Sequence, residues 1–195
     1  MVGKVRFKCV QCGNCCRDKD FIITITHKDT IRLANHLKCD LKELLSKYIG
    51  FYQVREELEN RLVFPAISTY RGNAFLGLRK KSDGSCLFLR DDNLCDIYEA
   101  RPMVCRSFPF IFKVKEGYLS WGLMAKAEEI CPGLGQGETV SEKSLVKMGR
   151  EILRELEEYM KIVSIWNHHA KVEKLDPVLL LKTIFEEAKL PNQST

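Results

Sequence analysis

Four of the nine cysteines in this 195-residue chain fall within one short stretch, Cys9-x2-Cys12-x2-Cys15-Cys16. Three thiols at such intervals, with Gly13 among them, can converge on one metal centre or supply two adjacent ones. The ligand in such a centre is the thiolate, and clustered thiols oxidise unless metal or redox chemistry holds them. Four more thiols follow at Cys86, Cys95, Cys105 and Cys131. Gly84 precedes the first, Asp96 follows the second and Pro132-Gly133 follows the last, so these cysteines stand beside turn formers or helix starts. Together they would complete two four-thiolate sites. An extended backbone sends adjacent side chains to opposite sides, so one of Cys15 and Cys16 is expected to face a second centre. Cys39 has no cysteine neighbour and reads as a core thiol outside the site.

The surroundings of the thiols suggest how a centre would be tuned. Arg101 and Arg106 flank Cys105, and a guanidinium beside an anionic cluster stabilises it and raises its reduction potential. The competing expectation for these arginines is an ordinary ion pair with Asp96 or Glu99. Cys131-Pro-Gly-Leu-Gly-Gln-Gly lacks the preceding apolar strand of a dinucleotide fingerprint. It reads as a loop in which Gly133 and Gly135 let backbone N–H groups approach thiolate or sulfide sulfur. His36, His168 and His169 read as surface or packing residues. Trp121, Trp166 and the Phe108-Pro109-Phe110-Ile111-Phe112 run are expected to form the apolar shell. No Ser-His-Asp or paired-carboxylate arrangement stands out, so no catalytic residue is assigned.

The elements that must position these groups follow from the pattern around them. The Cys9 to Cys16 knot reads as loop, and Phe21 to Ile25 as a short strand. Thr26 with Asp29, and Asp40 with Glu43, predict caps of two helices ending near Leu37 and at Gly50, a helical hairpin. Strands are predicted over Arg61 to Phe64 and Ala74 to Arg79, and a turn over Ser82 to Ser85. A short helix is expected near Ile97 to Cys105, with Pro102 early in it. Phe110 to Val114 and Tyr118 to Trp121 should form a hairpin. Ser141 opens a long amphipathic helix with Leu145, Met148, Ile152, Leu156, Tyr159 and Val163 on one face. A last helix should start at Pro177 after Asp176. The expected fold is α+β, a single compact domain. Small strands, hairpins and metal-binding loops fill 1–137, and a helical extension, 138–195, packs on them.

Composition narrows the function. The chain has 31 basic and 26 acidic residues, a formal charge of +5, with no basic block that would serve as a nucleic-acid arm. Two four-thiolate centres of roughly −2 each would bring it to about +1. The N-terminal residues lack the apolar core of a signal peptide, and no stretch has membrane-spanning length. An odd cysteine count also argues against a secreted disulfide framework. The expected location is the cytoplasm.

These residues also carry a resemblance. Phe7-x-Cys9-x2-Cys12-Gly-x-Cys15-Cys16-Arg17, then Cys86-x-Phe-Leu, Cys95-x-Ile-Tyr-Glu-x-Arg101-Pro-x2-Cys105-Arg-x-Phe-Pro, then Cys131-Pro-Gly-x-Gly-x-Gly, resemble the YkgJ-type cysteine-cluster family of zinc- or iron-chelating domains. The likeness spans about residues 7 to 137 and implies eight chelating cysteines: Cys9, Cys12, Cys15, Cys16, Cys86, Cys95, Cys105 and Cys131. A similar domain in flagellin lysine methylases implies, as one alternative, a protein-modifying enzyme or accessory. Thiol-only ligation, the C-x2-C-x2-C run and the Cys131-Pro step favour an iron-sulfur cluster, read as 4Fe-4S, with a redox partner. Zinc would instead make two closed structural sites and an interaction module.

Overall fold

The computed structural model describes residues 4–54, 64–173 and 175–189. In chain order its elements begin with β1 (Arg6–Phe7), α1 (Asn14–Arg17), α2 (His27–Leu37), α3 (Leu41–Lys47), β2 (Ile49–Gln53), β3 (Ile67–Thr69) and β4 (Gly72–Leu78). A 3-10 turn (Tyr98–Ala100), α4 (Met103–Ser107), β5 (Phe110–Lys115), β6 (Tyr118–Leu123) and α5 (Ala127–Ile130) follow. The chain then forms β7 (Leu134–Thr139), α6 (Glu142–Glu173) and α7 (Pro177–Lys189). The fold is α+β, and its residues gather into two compact units interleaved along the chain. Unit 1 comprises Met1–Phe21 and Lys80–Glu155; unit 2 comprises Ile22–Arg79 and Leu156–Thr195.

Unit 2 is built by capped helices and a three-stranded antiparallel sheet of order β2-β4-β3. Thr26 and Asp29 form the reciprocal capping box, each side chain accepting the other's backbone N–H at 3.1 Å. Asp40 caps α3 by accepting from Glu43 N at 2.8 Å, while the Glu43 carboxylate takes Lys47 Nζ. That helix ends before Gly50, which lies in β2 opposite Gly77 instead of stopping a helix. Phe21 to Ile25 forms one bridge, Thr24 to Gly77, flanked by Ile25 N donating to Leu76 O and Leu78 N to Ile23 O, and not a full strand. Of the strand predicted over Arg61 to Phe64, residues 61–63 lie outside the described residues. Leu156, Tyr159, Val163 and Trp166 of α6 are buried, and Trp166 Nε1 donates to Ser68 O at 2.9 Å. Pro177 opens α7, with Asp176 accepting from Val178 N.

Unit 1 has its apolar core under the β5-β6 hairpin. The hairpin turns at Glu116 (φ 53°) and Gly117 (φ 81°), two positive-φ positions that match the twist of the strands. Phe110 and Phe112 point inward with Leu145, and Val5, Phe7, Trp121 and Met148 pack around them. Phe110 meets the rings of Phe7 and Trp121 edge-on at 5.5 and 5.9 Å. α6 passes this hairpin at Gly149, where a Cβ would stand 2.6 Å from Phe112 Cδ1. The helix expected near Ile97 to Cys105 is divided: Pro102 lacks the N–H to continue it and instead precedes α4. The loop expected over Cys131 to Gly137 is partly strand, because β7 pairs antiparallel with β1. No helix among the described residues is long and apolar enough to cross a membrane.

Candidate metal centre

Cys9, Cys12, Cys15, Cys16, Cys86, Cys95, Cys105 and Cys131 all belong to unit 1, and Cys39 belongs to unit 2. Cys9 and Cys12 lie on a loop, as expected, whereas Cys15 and Cys16 do not. Gly13 adopts φ 74°, and its carbonyl accepts Cys16 N at 2.9 Å and Arg17 N at 3.1 Å, which winds α1. Cys15 and Cys16 therefore sit on a helical turn, with Sγ atoms 3.9 Å apart, not on opposite sides of an extended chain. Two thiolates on one tetrahedral ion, at metal–sulfur distances of ~2.3 Å, stand ~3.8 Å apart.

Three of the later cysteines share a local device. The Cys86 sulfur accepts a backbone N–H from Phe88, Cys95 from Ile97, and Cys131 from Gly133 and Leu134. Phe88, Ile97 and Gly133 each lie two residues on, in a turn after the cysteine. Backbone bonds from Leu89 N to Cys86 O at 3.1 Å, Tyr98 N to Cys95 O at 3.2 Å and Leu134 N to Cys131 O at 3.1 Å close these turns. N–H groups aimed at sulfur stabilise it as a thiolate, as in the outer shell of a metal site. Cys105 lies in α4.

Electrostatics ties most of the thiols together. Burial pushes the Cys86, Cys95 and Cys131 thiols up, with the N–H donors opposing it and neighbouring thiolates adding to it. Cys15 is held at about 7, chiefly by the hydrogen bond with Cys16, with burial opposing and its own N–H and the Arg101 charge assisting. The same hydrogen bond, then burial, then the charges of Cys15, Cys86 and Cys105, push Cys16 up. Cys131 senses both Cys12 and Cys15. The thiols share one unit without forming a closed cage. Among the described residues no three His, Cys, Asp or Glu side chains meet the geometry to hold an ion.

The two arginines separate. Arg101 donates from Nε to Tyr98 O at 2.9 Å, stacks over the Tyr98 ring at 3.7 Å, and favours the charged forms of Cys15 and Cys95. Arg106 reaches Glu155 at 3.4 Å, whereas Asp96 faces Arg90 at 3.8 Å. Gly133 contributes an N–H to Cys131 and packs against the residue that follows β1, where a Cβ would stand 2.3 Å from Lys8 O. Gly135, at φ 79°, faces open space. Trp121 lines the unit 1 core, while Trp166, His36, His168 and His169 lie in unit 2. Sequence reasoning missed three polar groups beside the cysteines. Lys80 Nζ donates to Asp18 O and Lys19 O at 3.1 and 2.6 Å; Asn14 Nδ2 donates to Ile130 O at 3.1 Å; Arg17 contacts two loops. The one available signal was the position of Arg17 directly after the cysteine pair.

A sulfur-only donor set, with backbone N–H groups turned toward it, suits soft thiolate-bound metals such as zinc and iron-sulfur iron. The class so defined is a cysteine-rich metal-chelating protein. The chain belongs to the CxxCxxCC family, described as a "putative zinc- or iron-chelating domain", whose model matches residues 8–132. It is also similar to the uncharacterized protein MJ0661 of Methanocaldococcus jannaschii, with 28% identity over 153 residues, covering 78% of this chain and 71% of that protein. No solved structure matches the chain.

Proposed function

We propose that the eight cysteines of unit 1 supply iron-sulfur ligation, four thiolates to a centre, and that the protein exchanges electrons with a redox partner in a reducing compartment, the cytoplasm. The observation that carries this reading is the repeated N–H to sulfur turn at Cys86, Cys95 and Cys131. Such turns stabilise charge on sulfur and set reduction potential. Cys9 and Cys15 are exposed, which leaves an edge of the centre open to a partner. Arg101 would favour the reduced, more negative state. The cluster is the 4Fe-4S cube read from the sequence, which takes one thiolate on each iron. The 3.9 Å separation of Cys15 and Cys16 is that of their thiol hydrogen bond, and it matches the spacing of two thiolates on one tetrahedral ion.

The same separation supports a second reading, tetrahedral zinc in a structural, redox-silent site. Protein purified without oxygen or added metal, assayed for iron, zinc and acid-labile sulfide, separates the two. Iron with equimolar sulfide, and absorption that bleaches with dithionite, is the expected result. Stoichiometric zinc without sulfide would overturn the iron-sulfur reading and favour a scaffold for protein partners.

A further inference from the structure

We infer that Arg17 is a positioning residue of the metal site, a latch that holds the Cys9 to Cys16 loop against the Cys86 to Cys95 loop. The inference rests on the reading that these cysteines bind metal. Arg17 ends α1 and points its guanidinium back across both loops. Nη1 donates to Cys12 O at 3.2 Å, closing its own loop, and Nη2 donates to the side-chain oxygen of Asn93. Asn93 sits at φ 70° in a turn whose backbone bonds join Arg90 O to Asn93 N and Arg90 N to Leu94 O. That conformation suits Asn and presents its carboxamide to the arginine.

The approach of the two loops is close at the same place. A Cβ on Gly13 would stand 2.8 Å from Arg17 Nη1, 3.0 Å from Leu89 Cδ1 and 3.3 Å from Asn93 O. Gly13 thus serves twice, winding α1 through its positive φ and leaving room for the guanidinium. A backbone bond, Cys86 N to Cys16 O at 2.7 Å, runs alongside. The loops carrying Cys12, Cys15 and Cys16 are therefore joined to the loop between Cys86 and Cys95 by one backbone bond and one guanidinium bridge. Arginine reaches its two acceptors here from two separate nitrogens of a planar fork, whereas lysine keeps the charge but donates from a single nitrogen. Arg17→Lys consequently separates the latch from a simple Coulombic role.

The test uses the full-length protein, loaded with cobalt(II) under anaerobic conditions, with release to excess EDTA followed by the sulfur-to-cobalt charge-transfer band. Arg17→Lys and Asn93→Gly, the latter compatible with positive φ, should each speed release ~10–100-fold, the usual cost of losing an outer-shell partner. The double variant should be no faster than the faster single one. Wild-type release from Arg17→Lys, or fully multiplicative effects in the double variant, would overturn the latch. If Arg17→Lys does not fold, Asn93→Gly alone decides: faster release supports the latch, and wild-type release overturns it. A wild-type protein that carries no metal as purified and takes up no cobalt overturns the metal reading itself, and the latch with it.

Discussion

The two units are held together by different means. In unit 2, Ile25, Leu33, Leu44, Ile49, Ile67, Val163 and Leu181 are fully or almost fully buried, and the 11-residue α2 is closed by a capping box. Burial of such side chains and satisfied helix ends are sufficient to order that region. The cysteine-bearing half of unit 1 relies on helical pieces of four or five residues, α1, α4 and α5, joined by turns. Helices this short have no independent stability. What orders them is a mesh of backbone bonds together with the side chains of Arg17 and Asn14. The lesson is that the cysteines stand on short pieces tied by hydrogen bonds, while the capped α2 and α3 and most of the fully buried aliphatic side chains belong to the other unit.

That contrast can be broken most severely at the thiols. Cys16→Ser or Cys86→Ser should abolish stoichiometric metal binding, read by elemental analysis, while Cys39→Ser should leave it intact. Equal metal loss in Cys39→Ser would erase the distinction between the units. Acidification should follow in size. Burial favours the protonated form of the Cys86, Cys95 and Cys131 thiols, so any of them that ligates metal must release a proton. Metal retention should therefore fall as pH falls, by about tenfold per pH unit for each proton displaced. Competition with a chelator across pH 6 to 8 measures the slope; a flat profile would contradict thiolate ligation.

On the unit 2 side, Leu33→Ala removes a side chain with no exposed surface and should cost about 2–5 kcal/mol, read by urea denaturation. Metal bound per folded molecule should not change. The smallest effect is expected at the α3 cap: Asp40→Ala leaves the Glu43 N–H without its acceptor and should cost about 1 kcal/mol in the same assay. A larger loss there than at Leu33 would mean that caps, not burial, dominate this unit.

How legible each unit was in the sequence follows the same division. The caps at Thr26 and Asp40, the β5-β6 hairpin and the start of α7 at Pro177 were readable, because each depends on residues a few positions apart. The long helix was readable from its apolar period. The winding of α1 was not, because it rests on one positive-φ glycine and spans four residues. The strand β7 was hidden in a glycine-rich run, since only its distant partner β1 makes it a strand. Spacing singled out the eight cysteines, and the fold gathers them in one unit. It could not indicate the N–H donors at Phe88 and Ile97, or that Asn93 would meet Arg17. Those are properties of turns closed in three dimensions.

The most direct test of the central claim is X-ray absorption spectroscopy at the edge of whichever metal the anaerobically purified protein carries. A first shell of sulfur alone, near ~2.3 Å, is what clustered thiolates require. A first shell dominated by nitrogen or oxygen would contradict the assignment of these cysteines as the ligands.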